Sequence, residues 1–298
     1  MLVLFVTLSH PLRAHEPFPP ELVRFQPIEE NPVFTARGDG HWDARIRERG
    51  WILRDENGWR MWFTGYDGTR EGRKMLGLAT SKDGIHWERH PKNPIYDEHW
   101  VEDVMIVPHD GSYYMFAEGQ GDQAQLLTSK DGVSWTRVGP LDVRKTNGEP
   151  IDPGPYGTPT AWHEDGMWHL FYERRDLGVW LANSQDMQVW TNVSDDPVLT
   201  PGPGEYDEHL IALNQIVKHG GRYYACYHGG SRDRTPVLWT TNVAVSDDLV
   251  HWTKYTGNPL FPVHANKSSG LLVRDGDGFR LYTMHDAVHM HVPPKSSK

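Results

Sequence analysis

The residues of this chain best suited to acid–base chemistry are carboxylates and imidazoles that recur at equivalent places. Five stretches have the form of a hairpin about a Gly-containing turn. They are Trp51 to Phe63 around Gly58, Val104 to Phe116 around Gly111, Thr160 to Tyr172 around Gly166, Gln215 to Tyr227 around Gly221, and Leu271 to Thr283 around Gly278. Seven residues after each turn glycine stand Gly65, Glu118, Glu173, His228 and His285. Alternation sets them on the strand face that carries apolar residues such as Phe116 and Phe171. Eight residues before the glycine the second stretch has Asp103, preceded by Glu102, where the others have Gly50, Thr158, Leu213 and Gly270. Asp disfavours strands, so an Asp-Val opening points to a carboxylate held at a strand mouth. An Asx turn is the competing reading. Before the first hairpin lie Trp42-Asp43 and Glu48, and before the fourth Asp207, Glu208 and His209. Trp42 and Asp43 suit a sugar subsite, with the ring stacking on the sugar and the carboxylate acting on it. A plain turn would explain them as well, just as ion pairing with Arg174 or Arg175 would explain Glu173 and blade capping the histidines.

These residues need a scaffold that brings hairpin ends together, and the sequence contains one. A Ser-x-Asp-x-x-x-Trp box occurs at Ser81–Trp87, Ser129–Trp135, Ser184–Trp190 and Ser246–Trp252, with serine spacings of 48, 55 and 62 residues. Ser and Asp side chains bond backbone NH groups in tight turns, and periods of this length mark solenoids or propellers. Asn-Pro or Asp-Pro steps followed by two apolar residues open units at Asn93, Asp196 and Asn258, and the same form stands at Asn31 with no box before it. Five hairpins against four boxes imply that the stretch from Phe25 to Pro32 completes the last blade. The expectation is an all-β, five-bladed β-propeller over residues 15–298, one domain, closed by an N-terminal strand. Closure removes exposed sheet edges. Both ends of each hairpin's strand pair would then ring one mouth of the central channel.

Composition narrows the partners. The net charge of -10 lacks the basic footprint that nucleic acid requires. The single Cys226, in an apolar and aromatic strand, excludes an internal disulfide framework and CxxC metal sites. The apolar run Leu2–Leu8, followed by Pro11-Leu12-Arg13-Ala14, resembles a signal-peptide remnant over residues 1–14 and points to a secreted or periplasmic protein. No other segment reaches membrane-spanning length, so no membrane partner is expected.

The Asn-Pro openings, the boxes, and hairpin ends such as Met61-Trp62-Phe63 and Leu170-Phe171-Tyr172-Glu173 resemble the five-bladed propeller glycoside hydrolases from about Asn31 to His285. These are the arabinanase and β-xylosidase, levanase and invertase, and mannoside phosphorylase families. The Asn-Asp-Pro-Asn-Gly start of the invertases is absent, and Glu102-Asp103 runs into Val104-Met105 and not the Pro-Arg of the phosphorylases. The resemblance implies a glycosidase with a catalytic carboxylate trio, Asp43, Asp103 and Glu173, with Glu208 and Glu118 as rivals for the acid. Trp42, Glu102, Glu118, Glu208, His228 and His285 are then expected to bind a carbohydrate substrate. No organic cofactor is required and no ligand spacing calls for a metal, although the histidines would admit a structural ion in the channel. One protonated carboxyl would serve the leaving oxygen, and a second carboxylate would act as base or nucleophile. A non-catalytic carbohydrate-binding propeller is the alternative.

Overall fold

The computed structural model describes residues 18–56 and 58–294. The signal-like run over residues 1–14 lies outside the described residues. Nearly all the regular structure is strand, in five antiparallel-based sheets arranged as a five-bladed β-propeller. Each blade is a meander led by the hairpin read from the sequence. These hairpins are Trp51–Asp55 with Gly58–Tyr66, Glu102–His109 with Ser112–Gly119, and Gly157–Glu164 with Met167–Glu173. Leu210–His219 with Arg222–Gly230 and Leu271–Asp275 with Gly278–Met284 complete the set. We number the blades I to V in that order.

Ring closure follows the expectation. Gln26–Pro27 and Phe34–Thr35 both pair with Ala287–Val292, the third strand of blade V. The Asn-Pro step has a physical reason visible at three equivalent places. Asn31 exchanges both amide hydrogen bonds with the backbone of Met290, each at 2.7 Å. Asn93 does the same with Leu78 and Asn258 with Val243. One side chain thus imitates a strand neighbour along the edge of the third strand, and the proline needs no donor there.

The boxes are turns that also join blades. In the first, Gly84 N donates to Ser81 Oγ, and the NH groups of Ile85 and His86 donate to Asp83 Oδ1. The box carbonyls are then taken by the preceding blade: Tyr282 of blade V donates to Gly84 O at 3.0 Å, and Trp62 of blade I to Gly132 O at 2.8 Å. Trp87 itself donates within its own box, to Gly84 O. Second-strand aromatics thus tie each box to the preceding blade, and box tryptophans reach across as well: the Trp190 ring centre lies 5.9 Å from that of Phe116 in blade II, and Trp252 6.1 Å from Phe171 in blade III. Packed between blades are Trp62, Phe63, Phe116, Phe171, Tyr172, Trp190, Tyr227 and Tyr282, all essentially inaccessible to solvent. Each fully buried aromatic contributes on the order of 1.5–3 kcal/mol or more.

Aligning the hairpins on their glycines is one residue out of step in blades I and V. In blades II to IV the glycine is the second turn residue, at positive φ, before strands starting at Ser112, Met167 and Arg222. Gly58 and Gly278 instead open the second strand, opposite Asp55 and Asp275. Realignment on strand pairing puts Arg49, Asp103, Thr158 and Ser269 at equivalent places at the mouth of the inner strands. All four have left-handed backbone, with φ of 53°, 50°, 45° and 54°. In blades II and III these residues are bulges, where the register slips between Glu102 and Met105 and between Gly157 and Thr160. A bulge re-aims a side chain and adds twist. A β-branched Thr at positive φ is a strained conformation that surrounding structure must enforce.

Candidate active site

At this mouth the hairpin ends enclose a cavity of about 320 Å³, within the usual range for small-ligand sites. Asp103, Glu118, Glu173 and His228 line it, as the sequence placed them, together with Arg47, Glu48 and Asp176. Glu118 and Glu173 end the second strands of blades II and III, and Asp103 sits on the blade II bulge.

Gly157 lets the two glutamates approach. A Cβ there would lie 2.1 Å from Glu118 Oε2 and 2.9 Å from Glu173 Oε1. Both carboxyls therefore face one point that any side chain would fill. Glu118 Oε2 accepts from Thr158 N at 2.9 Å, and Thr158 Oγ1 donates to Asp103 Oδ2 at 3.3 Å. The strained threonine thus ties two of the acids together. Glu173 Oε2 accepts from Asp176 N at 2.5 Å. Among the described residues no hydrogen bond or ion pair joins Glu173 to Arg174 or Arg175; Arg174 donates to the carbonyls of Asp152 and Pro155.

Burial among like charges makes these acids hold protons. Desolvation first, then the charge of Asp176, pushes the Glu173 carboxyl up to about 8. Desolvation raises Asp103 to about 7, with Arg49 pulling the other way, and burial beside Asp103 holds Glu118 well above the usual range. Asp176 is raised by burial and by Glu48 to about 6. Glu48 behaves oppositely. Burial opposes its ionisation, yet the hydrogen bond with His285, at 2.9 Å, and the charge of Arg47 bring it down to about 2. His228, buried and in contact with Asn214, is lowered to about 4 and stays neutral at neutral pH.

Beneath the acids lies Arg49, fully buried. Its Nη2 donates to Pro159 O at 2.6 Å and Thr160 Oγ1 at 2.7 Å, closing the channel floor across blades I and III. Its Nε and Nη1, like Asp103 Oδ1, are buried without a protein hydrogen-bond partner. Asp103 and Glu118 are its nearest compensating charges, against a burial that lowers its own pKa to about 10. Arg49 and Asp176 escaped the sequence reading. Realigned pairing would have found Arg49; nothing in the repeat marks Asp176, which follows the end of a strand.

The other expected residues are elsewhere. Asp43 is fully buried, and its two oxygens are held by Arg37 at 2.6 Å and Arg89 at 2.8 Å. Trp42 stacks on Phe63 and fills the space over Gly65 and Gly77. This pair braces blade I and does not line the cavity. Glu48 is the blade I carboxylate that does. Glu102 stands just outside, between Arg47 Nε at 2.7 Å and Trp100 Nε1. His285 reaches the site through Glu48 and also meets Ser268. Glu208 is exposed on blade IV, accepting from Ser231. It groups with His209 and Asp233 so that one donor atom of each lies within 4.8 Å of the others.

No family model matches the sequence. Among curated proteins, the chain is 24% identical to a 1,2-β-oligomannan phosphorylase of a Thermoanaerobacter species over 70% of this chain and 72% of that protein. A fructan β-fructosidase of Streptococcus mutans is 25% identical over 53% of this chain and 12% of its own length. Similar solved structures include a glycosyl hydrolase from Bacteroides ovatus, with TM-score 0.74 and 17% identity over 94% of this chain and 97% of that one. A β-1,2-mannobiose phosphorylase from Listeria innocua superposes with TM-score 0.69 and 15% identity, over 90% and 96% of the two chains. The chain thus has the fold of the propeller glycosidases and mannoside phosphorylases.

Proposed function

We propose that the protein is a glycoside hydrolase that cleaves an oligo- or polysaccharide by carboxylate catalysis in the axial cavity. The observation that carries this reading is the split among its acids. Glu173 keeps a proton at neutral pH while Glu48, across the same cavity, stays ionised. Environments that push carboxyl pKa values apart sort acids from bases. Glu173 donates its proton to the leaving oxygen. Asp103, near 7, is poised to take a proton from the attacking water, since a base works best with a pKa close to the operating pH. Glu48 faces the positive charge that develops on the sugar ring.

Hydrolysis is preferred to phosphorolysis on electrostatic grounds. The cavity wall has six carboxyls, Glu48, Asp103, Glu118, Asp122, Glu173 and Asp176, against Arg47 and Arg175, and Arg47 is already paired with Glu48 and Glu102. A phosphate dianion here would be desolvated beside the ionised Glu48, with Arg47 already engaged by two carboxylates. The test is product analysis on a glycoside panel, including β-1,2-mannobiose, with and without inorganic phosphate. Free sugar released without phosphate is expected, and Glu173→Gln is expected to lower kcat by roughly 10²–10⁴-fold. Sugar phosphate formed only with phosphate present would replace hydrolysis by phosphorolysis. Binding without turnover of any glycoside would leave a carbohydrate-binding propeller.

A further inference from the structure

A second depression, of about 690 Å³, runs along the seam between blades I and II and shares Arg47 and Asp122 with the axial cavity as common walls. Its sides come from the loop after strand Gly58–Tyr66 and from the segments flanking the first hairpin of blade II. Two half-buried aromatic residues, Tyr66 and Trp100, belong to it. The buried Lys74 ammonium sits between them, 4.1 Å from the Tyr66 ring centre and 4.3 Å from that of Trp100, and donates to Gly72 O at 2.9 Å. Trp100 is held from two further directions. Its Nε1 donates to Glu102, and its carbonyl accepts from Gln125 Nε2 at 2.7 Å. The platform is therefore fixed before any ligand arrives, which removes part of the ordering cost of binding. Beyond Trp100 lies a third depression of about 170 Å³, which shares Trp100 and Gln120 with the second.

Charge in the second depression is balanced. Arg47, Arg70 and Lys74 face Glu71, Glu102 and Asp122. Arg47 is paired with Glu102, Lys74 is engaged by rings and carbonyls, and Arg70 shares the lining with Glu71 and Asp122, so the depression has no net charge for an anionic ligand. Aromatic faces with scattered polar groups are the lining that suits an uncharged, hydroxyl-rich chain. Fully buried Arg49 bridges blade I to blade III through Pro159 O and Thr160 Oγ1, which stands against a chain threading the axis.

We propose that the blade I–II seam is the leaving-group side of the site. It takes two or more residues of an uncharged oligosaccharide whose terminal residue occupies the axial cavity, with Trp100 as the ridge over which the chain lies. This rests on the glycosidase reading of the cavity, and it makes the enzyme one that trims chain ends.

The test measures binding by calorimetry to Glu173→Gln protein, with β-1,2-linked manno-oligosaccharides of one to five residues as probes. Affinity is expected to rise with length up to three or four residues, the trisaccharide binding at least about tenfold more tightly than the monosaccharide. In Glu173→Gln/Trp100→Ala that ratio falls towards unity, and Glu173→Gln/Trp100→Phe, which keeps a ring, restores most of it. A thermal melt identifies a Trp100→Ala protein that has lost its fold, in which case the Phe variant and Tyr66→Ala are compared instead. Affinity independent of length overturns the proposal. So does a ratio untouched by Trp100→Ala, or failure of every length to bind in this and the matching fructo- and arabino-oligosaccharide series. If wild type cleaves nothing while the length dependence and its loss persist, the glycosidase reading fails and the chain-binding seam stands. If wild type cleaves disaccharides but affinity is flat, the reverse holds.

Discussion

The two kinds of carboxylate-rich turn in this propeller use the same side chains to opposite electrostatic ends. In the Ser-x-Asp boxes, Asp131 accepts from the NH groups of Ser134 and Val133, and those bonds bring it down to about 2. Asp83 and Asp248 are likewise lowered, Asp83 by His86 side chain and backbone together. At the cavity, Asp103 and Glu173 have few donors and several acidic neighbours, and both rise. Ionisation in the boxes is compensated by fixed NH dipoles at the protein surface. In the cavity, solvent is excluded and the neighbouring charge has the wrong sign, so the proton stays. One set of acids therefore holds the fold, and the other is suited to move protons.

The contrast predicts pH behaviour first, because the effect is largest there. Activity that needs protonated Glu173 is expected to fall about tenfold per pH unit above about 8, a limb absent from the residual activity of Glu173→Gln. Stability should move the same way for a related reason. A carboxyl that binds its proton more tightly in the folded state favours folding below its unfolded pKa, and that contribution is lost as pH rises towards about 8. The box aspartates act in reverse: their contribution is present at neutral pH and disappears as pH falls through about 2 for Asp131. Denaturant midpoints measured from pH 3 to 9 should therefore decline on the alkaline side in wild type and flatten in Glu173→Gln.

A smaller effect sharpens the comparison from the cavity side. Gly157→Ala adds a methyl at the point both glutamates face, and Gly157 has no positive φ to complicate the change. Displacing the two carboxyls by about 1 Å is expected to lower kcat roughly 10²-fold, with little change in melting temperature. Unchanged kcat would remove the Glu118–Glu173 pair from the chemistry.

The smallest effect comes from the boxes. Asp131→Ala removes two backbone hydrogen bonds and the bonds from the Ser129 and Ser134 hydroxyls, on a turn outside the cavity lining. A loss of about 1–2 kcal/mol in unfolding free energy is expected, with kcat unaltered. A large loss of activity in folded protein would break the division of labour drawn here.

Much of the architecture was legible because repetition is a local property. The boxes, the Asn-Pro steps and the hairpins each depend on contacts within a few residues or with the adjacent strand, so one blade predicts the next. Counting hairpins against boxes even located the closing strand, since Asn31 lacked a box and had to borrow Met290. Glu118, Glu173, Asp103 and His228 could be placed at one mouth for the same reason.

What the repeat could not specify depended on loops and on one-residue shifts. Trp42-Asp43 has the residue types of a sugar subsite, yet two arginines distant in sequence, Arg37 and Arg89, claim the carboxylate, and Phe63 claims the ring. The glycine alignment slipped in blades I and V because Gly58 and Gly278 open strands there and do not turn them. That slip concealed Arg49 as the partner of Asp103 in the ring. Residue types and period determined a closed five-bladed ring with acids at one mouth. Only the tertiary structure decided which acids share a desolvated space and which are neutralised, because proton affinity follows from neighbours that the chain brings together across blades.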